Sequence, residues 1–330
     1  MTRALALEKI RAGKRFLVTC HVRPDSDALG SALGLAATLD AIGKDVVVFS
    51  DGGVPPLLQF LEGKERVVAE VPAQPFDATF VMDAAAAELV PALPGREVTG
   101  PIIIVDHHAA HDGFGDFAVR EIDACATGEV VLRMAHDLGL NPVPRAAAQP
   151  LYAAIVADTG GFRYPGTRPV THLIAAELLG QGVDPWTVAS NLFEKWSLQR
   201  MSLLGEVLRA MRMENDGRIA IVCVDRGMMQ RSGATDDLIE GMVNYGRMIE
   251  GVRVAALLWQ PAEKVGEVKV SLRSGEGADV AKVAVLLGGG GHRTAAGATL
   301  RGTLDEARVT VLAAARTEIA GTSVPPPAGR

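Results

Sequence analysis

The sequence has only three cysteines, and they lie far apart along the chain at Cys20, Cys125 and Cys223. No Cys-x-x-Cys pair exists, which excludes a thiolate zinc site built on that spacing. Cys20 and Cys223 lie within apolar runs. The simplest interpretation is a cytoplasmic protein with buried, reduced thiols.

Long hydrophobic runs and an excess of positive charge are also missing. No apolar stretch reaches about 18 residues, the length expected of a membrane-spanning helix, and residues 1–14 lack the apolar core of a secretory signal. We therefore expect no membrane partner. The net charge is −6, so no general basic field attracts long duplex nucleic acid. A short nucleic-acid substrate held locally stays compatible with this charge.

The composition is that of an ordinary globular protein, with 48% hydrophobic and 22% charged residues. A chain of 330 residues predicts two domains. We predict an α/β fold, with an N-terminal, largely parallel sheet domain flanked by helices, a smaller C-terminal α/β domain and a cleft between them. The predicted boundaries are 1–190 for the first domain, 191–213 for a helical linker, 214–320 for the second domain and 321–330 for a disordered tail.

Apolar segments alternate with helical patterns in the first half, which favours parallel strands with covered faces. The predicted strands are residues 16–20, 45–49, 76–82 and 102–105. The predicted helices include 29–42, 127–138 with Thr127 as a plausible cap, 146–157 broken by Pro150, and 196–213. In the second domain we predict strands at 219–224, 254–259 and 268–272, and helices at 236–249, 279–287 and 304–319.

The loop after the first strand carries one imidazole and two carboxylates within seven residues, at His21, Asp25 and Asp27. Ligands in α/β proteins bind at the carboxyl ends of strands, where this loop is expected. Neutral imidazole and ionised carboxylate suit a divalent cation of intermediate hardness. The alternative is a polar turn in which Asp27 only caps the following helix.

Acids or imidazoles also follow two further strands, at Asp83 and at Asp106, His107 and His108. The carboxyl ends of parallel strands share one edge, so these groups can converge. Asp158 ends a predicted helix, where a carboxylate opposes the helix dipole. Clustered carboxylates repel unless a cation compensates, and two divalent ions would suit hydrolysis of a phosphate ester. The alternative is a set of unrelated polar residues at strand ends.

Together these residues resemble the four motifs of the DHH phosphoesterase superfamily. Ser271, Arg273 and the run Gly288-Gly289-Gly290-Gly291-His292 resemble its DHH-associated C-terminal domain. The resemblance extends from about residue 5 to 318 and is closest to the branch of nanoRNases, the oligoribonuclease and pAp-phosphatase enzymes. One departure is Ser26, where many members have glycine.

The resemblance implies a role for each matching position. His21, Asp25 and Asp83 would hold one of two divalent cations, with manganese as the expected metal. Asp83 would bridge to a second cation, whose other ligands would be Asp27, His107 and Asp158. Asp106 would be an auxiliary ligand or support the ligands, and His108 would face the phosphate and protonate the leaving oxygen. The C-terminal domain would close over the site and bind the nucleotide through residues that match its motifs: Ser271, Arg273, Gly289, Gly290, Gly291 and His292. Arg163, near the fourth motif, is a further candidate for substrate binding.

The implied activity is a hydrolase that uses a metal-activated hydroxide. It would convert short RNA or linear dinucleotides such as pApA to mononucleotides, as an exonuclease, and pAp to AMP. Cyclic dinucleotides, polyphosphate and pyrophosphate are alternative substrates. A non-catalytic nucleotide sensor is a third alternative, but no predicted ligand is missing. The sequence leaves the oligomeric state open, and a homodimer is compatible with it.

Overall fold

The computed structural model describes residues 2–262 and 264–320, and the predicted tail at 321–330 lies outside them. The chain divides into two compact units between Lys195 and Trp196. No helix in the described ranges is both long and apolar enough to span a bilayer.

The first unit contains a six-stranded sheet in which every pair of neighbouring strands is parallel, in the order β3-β2-β1-β4-β5-β6. Its strands are β1 (Arg15–Cys20), β2 (Asp45–Phe49), β3 (Val67–Val68), β4 (Ala78–Met82), β5 (Ile102–Asp106) and β6 (Phe117–Arg120). The predicted parallel sheet is confirmed. The strand order reverses direction between β1 and β4, and a reversal of this kind creates a crevice at the carboxyl ends of the strands.

Seven helices accompany this sheet in the described part of the first unit: α1 (Thr2–Ala12), α2 (Ser26–Ala41), α3 (Arg96–Thr99), α4 (Thr127–Asp137), α5 (Arg145–Asp158), α6 (Pro169–Gly180) and α7 (Pro185–Phe193). Short 3₁₀ turns cover Pro56–Leu58, Lys64–Arg66 and Ala87–Leu89. The main core lies between the sheet and α2, α4 and α5, and includes Phe16, Leu29, Phe80, Leu132 and Leu151.

Close packing between α2 and α5 depends on glycine at two positions of α2. A Cβ added at Gly30 would lie 2.5 Å from the carbonyl oxygen of Pro150, and one at Gly34 would lie 2.3 Å from Cδ2 of Leu151. The prediction that Pro150 breaks its helix was wrong, because α5 runs through it without interruption. Burial of α5 against its neighbours offsets the hydrogen bond that proline cannot donate.

The second unit contains its own six-stranded sheet, in the order β11-β12-β10-β9-β8-β7. Only β8 and β9 pair in parallel, and the other pairs are antiparallel. The strands are β7 (Arg212–Glu214), β8 (Ile219–Val224), β9 (Val254–Trp259), β10 (Glu267–Ser274), β11 (Gly290–Gly291) and β12 (Ala295–Arg301).

The helices of this unit are α8 (Leu198–Ala210), α9 (Arg226–Ser232), α10 (Val243–Arg247), α11 (Val280–Leu286) and α12 (Leu304–Ala320), with a 3₁₀ turn at Asp236–Ile239. Leu203 and Val207 of α8 pack in the core of this unit. The single helix predicted over 236–249 was wrong: the 3₁₀ turn and α10 replace it. The helix predicted over 196–213 is shorter, and Arg212 to Glu214 form an edge strand instead.

Candidate metal centre

The first loop places two carboxylates at the start of α2. Asp25, not Asp27, is the N-cap: its Oδ1 accepts a hydrogen bond of 3.0 Å from the backbone N–H of Ala28. The capping role considered for Asp27 is therefore wrong. Asp27 lies in the first turn with only 2% of its surface exposed, so its burial needs another explanation.

Asp27 is buried against the beginning of a second helix, α4. Its Oδ2 accepts 2.7 Å from the backbone N–H of Thr127, and its Oδ1 accepts 3.0 Å from that of Gly128 and 3.0 Å from the hydroxyl of Ser31. Unpaired N–H groups at a helix N-terminus stabilise a carboxylate. The N-terminus of α4 and one hydroxyl of α2 therefore fix both oxygens of this aspartate.

Asp83 follows β4 with a backbone φ of 57°, which is uncommon for a residue other than glycine. Its Oδ1 accepts 2.9 Å from the hydroxyl of Thr127 and lies 3.7 Å from Nε2 of His107. Its Oδ2 lies 3.8 Å from Nε2 of His21. The two oxygens of Asp83 thus face two different imidazoles. Thr127 was predicted as a helix cap, but Ala126 occupies that position. The hydroxyl of Thr127 donates to Asp83 instead.

The hydrogen bonds of His21 and His107 determine which ring nitrogen is available to a ligand. Nδ1 of His21 lies 2.9 Å from the carbonyl of Val22, and Nδ1 of His107 lies 3.2 Å from that of Ala124. A carbonyl only accepts, so Nδ1 carries the proton in both rings. Each Nε2 is then left as an acceptor that faces the carboxylates, as in histidines that bind metals.

Asp158 completes the array from the end of α5. Its Oδ2 lies 3.4 Å from Nε2 of His107, and that nitrogen lies 3.7 Å from Oδ2 of Asp27. The backbone carries Asp158 here although the helix C-terminus disfavours a negative charge. The imidazole of His107 is therefore shared by three carboxylates, the third being Asp83.

The strand β5 ends in Asp106, which is fully buried. Its Oδ1 accepts from the backbone N–H groups of His107 at 2.8 Å and His108 at 3.2 Å, and from Nδ1 of His108 at 2.7 Å. Its Oδ2 is buried and has no hydrogen-bond partner among the described residues. Asp106 therefore fixes the orientation of His108, and its second oxygen is left without a hydrogen-bond donor among the described residues.

Burial and mutual repulsion dominate the electrostatics of this cluster. Burial, and then the charge of Asp83, raise the pKa of Asp27 to about 7. Burial, and then the charge of Asp25, raise the pKa of Asp83 to about 7. Partial burial, and then the charge of Asp27, raise the pKa of Asp158 to about 7. Carboxylates in such an arrangement repel one another when they are ionised, unless a positive charge lies close to them.

The two adjacent histidines respond to these carboxylates. The hydrogen bond to Asp106 raises the pKa of His108 to about 9. Burial lowers the pKa of His107, but the charges of Asp27, Asp158 and Asp83 outweigh it and leave the value raised. The carboxylates therefore favour the protonated form of both imidazoles.

The donor set fits divalent cations. Three groups each bring three ligand atoms within 4.8 Å of one another: His21, Asp25 and Asp83; Asp27, His107 and Asp158; and Asp83, His107 and His108. All donors are carboxylate oxygen or imidazole nitrogen, which suits magnesium, manganese or zinc. The structure thus brings together six of the seven predicted ligands. Asp106 lies in none of the three groups, and its assignment as an auxiliary ligand stays a prediction.

The predicted substrate-binding residues of the second unit lie on β10 and on or beside β11, and β12 runs between these two strands. In the antiparallel register, Ser271 of β10 is opposite Gly297 of β12, and Gly297 is opposite Gly290 of β11. A Cβ at Gly289 would lie 2.1 Å from the carbonyl oxygen of Gly297. The predicted glycine loop is therefore an edge strand that packs against β12 backbone to backbone.

The remaining residues of this set lie in β11, just after it and on β10. Gly291 has a φ of 141°, and a Cβ there would lie 2.5 Å from Cα of Ala296. His292 follows it and is exposed, and its N–H donates 2.7 Å to the carbonyl of Ala295. Arg273 is half-buried on β10, and its Nη1 donates 2.9 Å to the carbonyl of Leu272. Their roles in binding substrate stay predictions.

Arg163 lies in the first unit, five residues after Asp158. Its side chain is exposed, its Nε donates to the carbonyl of Gly160, and its guanidinium lies 5.9 Å from the ring centre of Phe193. The structure therefore separates this candidate from Ser271, Arg273 and His292 by unit.

The sequence analysis did not predict that two side chains, those of Ser31 and Thr127, would donate hydrogen bonds to the carboxylates of the centre. Ser31 follows Asp27 by four residues on α2, a spacing at which side chains on a helix meet. That signal was available. The role of Thr127 depends on a contact with Asp83 across 44 positions, and no local pattern contains it.

Comparisons with known proteins agree with the fold and with the arrangement of acids and imidazoles described above. Residues 15–155 match the model of the DHH family, N-terminal domain, and residues 216–320 match that of the DHHA1 domain. A protein of Thermus thermophilus called bifunctional oligoribonuclease and PAP phosphatase NrnA is 36% identical over 92% of this chain and 89% of its own. One of the same name from Bacillus subtilis is 27% identical over 85% of this chain and 87% of its own.

A solved structure extends the likeness to the whole chain. The crystal structure of an exopolyphosphatase-related protein from Bacteroides fragilis superposes with a TM-score of 0.87 at 25% identity, and covers 96% of both chains. The two matching domains, the relatives and the arrangement of acids and imidazoles lead to one assignment. The chain belongs to the DHH superfamily of phosphoesterases, in the branch of nanoRNases and pAp phosphatases, and it is a hydrolase.

Proposed function

We propose that the protein is a manganese-dependent phosphoesterase that hydrolyses short oligoribonucleotides and linear dinucleotides such as pApA to mononucleotides, and pAp to AMP. The names of the Thermus and Bacillus relatives support the substrate class. The observation that carries the proposal is the position of Asp83, whose Oδ2 lies 3.8 Å from Nε2 of His21 and whose Oδ1 lies 3.7 Å from Nε2 of His107. A single carboxylate between two donor groups is the arrangement that a pair of cations requires.

In this proposal one cation would be held by His21, Asp25 and Asp83, and the other by Asp83, Asp27, His107 and Asp158. The cations would supply Lewis acidity, lowering the pKa of a water and neutralising the developing charge on the phosphoryl oxygens. Thr127, Ser31 and the backbone of α4 hold Asp27 and Asp83 before any ligand binds. This preorganisation reduces the rearrangement that binding would otherwise need.

In this proposal His108 handles the proton of the leaving group. Asp106 accepts a hydrogen bond from its Nδ1, and this hydrogen bond favours the protonated ring. Its Nε2–H is then the donor that faces the substrate and protonates the leaving oxygen. Asp106 touches neither substrate nor leaving group in this scheme, and acts by positioning His108.

Substrate binding outside the metal centre would use Arg163 in the first unit and Ser271, Arg273, His292 and the glycine strand in the second. Planar guanidinium groups suit phosphate oxygens, and exposed backbone N–H groups without Cβ atoms allow a phosphate or base to approach closely. The net charge of −6 favours short substrates over long duplexes. We also propose a cytoplasmic location, consistent with three free cysteines, and a homodimer as the assembly to test.

The test is a turnover panel with purified protein and added manganese. We expect kcat/KM to be highest for pApA, short RNA and pAp, and to fall with RNA length. Cyclic dinucleotides, polyphosphate and pyrophosphate complete the panel, because the Bacteroides relative is named for exopolyphosphatase. Preference for polyphosphate, or no hydrolysis of any nucleotide, would contradict the proposal. Analytical ultracentrifugation of the same sample tests the homodimer.

A further inference from the structure

Among the described residues, exposed aromatic side chains are rare and are confined to residues 164–193. Aromatic residues make up 5% of the sequence. Among the described Trp, Tyr and Phe residues, only Tyr164, Trp186 and Phe193 have more than about a third of their surface exposed, with 42%, 65% and 37%. Two of these three contact the short loop that follows the candidate metal ligand Asp158.

That loop is tightly built around Thr159. The carbonyl of Thr159 accepts from the backbone N–H groups of Arg163 at 2.9 Å and Tyr164 at 3.0 Å, and its hydroxyl accepts 3.0 Å from that of Phe162. Phe162 has a positive φ of 65°, as do Gly160 and Gly161 at 58° and 69°. Backbone hydrogen bonds, not the ring of Tyr164, therefore set the shape of the loop.

The ring of Tyr164 lies flat against Gly160. A Cβ added at Gly160 would lie 2.4 Å from Cζ of the ring and 2.7 Å from both Cε1 and Cε2. Because all three distances are nearly equal, this position lies over the face of the ring near Cζ and not beyond its edge. One face of Tyr164 is thus covered by glycine, and its exposed surface lies elsewhere on the ring.

Phe193 lies on the neighbouring glycine. A Cβ at Gly161 would be 3.5 Å from Cε2 of Phe193, and the guanidinium of Arg163 is 5.9 Å from the centre of that ring. The Nε of Arg163 is held by the carbonyl of Gly160, which leaves its Nη groups for another acceptor. An exposed ring and a guanidinium on one rigid loop are the groups that bind single-stranded nucleic acid, through base stacking and phosphate contact.

We propose that Tyr164 is a stacking platform for a nucleobase of the substrate, with Arg163 contacting a phosphate of the same molecule. This inference rests on the proposed nucleotide substrate. It adds a base-binding subsite to the first unit, on the loop that begins at Asp158. Stacking on the ring accepts any base, because every base has a π-face. The subsite therefore favours nucleotides over polyphosphate without selecting one base.

The test measures equilibrium binding of two probes, AMP and ribose 5-phosphate, to the metal-loaded protein by calorimetry. The wild type should bind AMP more tightly than ribose 5-phosphate by about 5- to 150-fold, the range of one stacking contact. Tyr164→Ala should reduce this ratio to near one, and Tyr164→Phe should keep it, because the ring and not the hydroxyl makes the contact.

Trp186→Ala is the matched control, since it removes a more exposed ring from the first turn of α7, outside the loop, and should leave the ratio unchanged. Metal content and thermal unfolding of each variant establish that the fold is intact. An unchanged ratio in a folded Tyr164→Ala variant, or a wild type that does not distinguish the probes, overturns the subsite.

The same variants separate this inference from the proposed function. If the wild type hydrolyses pApA and Tyr164→Ala does so with unchanged KM, the function stands and the platform is wrong. If AMP binding depends on Tyr164 but no nucleotide is hydrolysed, the platform stands and the proposed activity is wrong.

Discussion

The two units of this protein present their candidate functional groups in opposite ways. In the first, Asp27 and Asp83 are buried and fixed by hydrogen bonds, as Asp27 is by Thr127, Gly128 and Ser31, and the more exposed Asp25 and Asp158 complete the cluster. In the second, the candidate groups lie on β10 and on or beside the edge strand β11, where backbone packing replaces side chains and His292 is exposed. A buried site stabilises charge in a fixed geometry, whereas an open, glycine-rich surface accepts a ligand at low steric cost.

This contrast suggests that the first unit supplies the chemistry and the second supplies binding. Side chains that act on the transition state should change kcat, and contacts made equally to the ground and transition states should change KM alone. The four predictions below test that difference, from the largest expected effect to the smallest.

Removing metal should abolish the function of the first unit entirely. We expect chelation to reduce hydrolysis of pApA below detection and to lower the melting temperature, because Asp27, Asp83 and Asp158 then face one another without compensating charge. Adding manganese at about 100 times its Kd should restore about 2.7 kcal/mol of stability. Activity assays, differential scanning fluorimetry and elemental analysis check this. Full activity in chelator would contradict the metal centre.

Replacing Asp83 should have the largest effect of any single substitution. Asp83→Asn keeps the size of the side chain and tolerates the positive φ, but removes the charge that faces both His21 and His107. We expect activity to fall by more than about 10⁴-fold, beyond the usual effect of losing a general acid or base. Asp51→Asn, in an exposed turn after β2, is the control and should be neutral. Near-normal turnover with both cations bound would refute the bridging role of Asp83.

Disturbing the orientation of His108 should have an intermediate effect. In Asp106→Asn the accepting carboxylate is replaced by an amide, and the pKa of His108 loses its main support. We expect kcat to fall by about 10²- to 10³-fold with both cations retained. His108→Gln should have a similar effect, and the double variant should be no worse than either single variant, because the two residues act as a unit. Additive losses would show that Asp106 acts independently of His108.

A contact in the second unit should have the smallest effect and should appear in KM. We expect His292→Ala to lower kcat/KM for pApA by about 10-fold, as for one hydrogen bond to a charged group, with kcat and metal content unchanged. The generic ester bis-p-nitrophenyl phosphate should be much less affected. Arg293→Ala, an exposed neighbour, is the control. Equal losses for both substrates, or loss of a cation, would show that the division between the units is wrong.

Sequence patterns predicted the parts of the fold whose signals are local. Apolar runs located β1, β2, β4 and β5, and the residues at their ends belong to one centre because β1, β4 and β5 are adjacent and parallel. The resemblance to a known family named the same residues. Each of these predictions needed only a strand, its end and the rule that parallel strands share an edge.

The features that the sequence did not predict depend on contacts between distant segments. Pro150 continues its helix because α5 is packed against Gly30 and Gly34. Asp27 does not cap α2, because Asp25 is the N-cap, and the carboxylate of Asp27 accepts instead from the distant N-terminus of α4. The short strands β3, β6 and β11 have no periodicity of their own, and pair only because a neighbouring strand is present. Local propensity is a weak guide wherever tertiary packing decides.

The anchoring of Asp27 by the N-terminus of α4 has a consequence for how the molecule is assembled during folding. The hydrogen bonds from Asp27 to Thr127 and Gly128 join residues that are 100 and 101 positions apart. Closing so long a loop is slow, because the conformational entropy of the loop is lost before the contact stabilises the chain. We therefore expect the charged centre to be completed late in folding, so that its carboxylates stay hydrated while the chain is still collapsing.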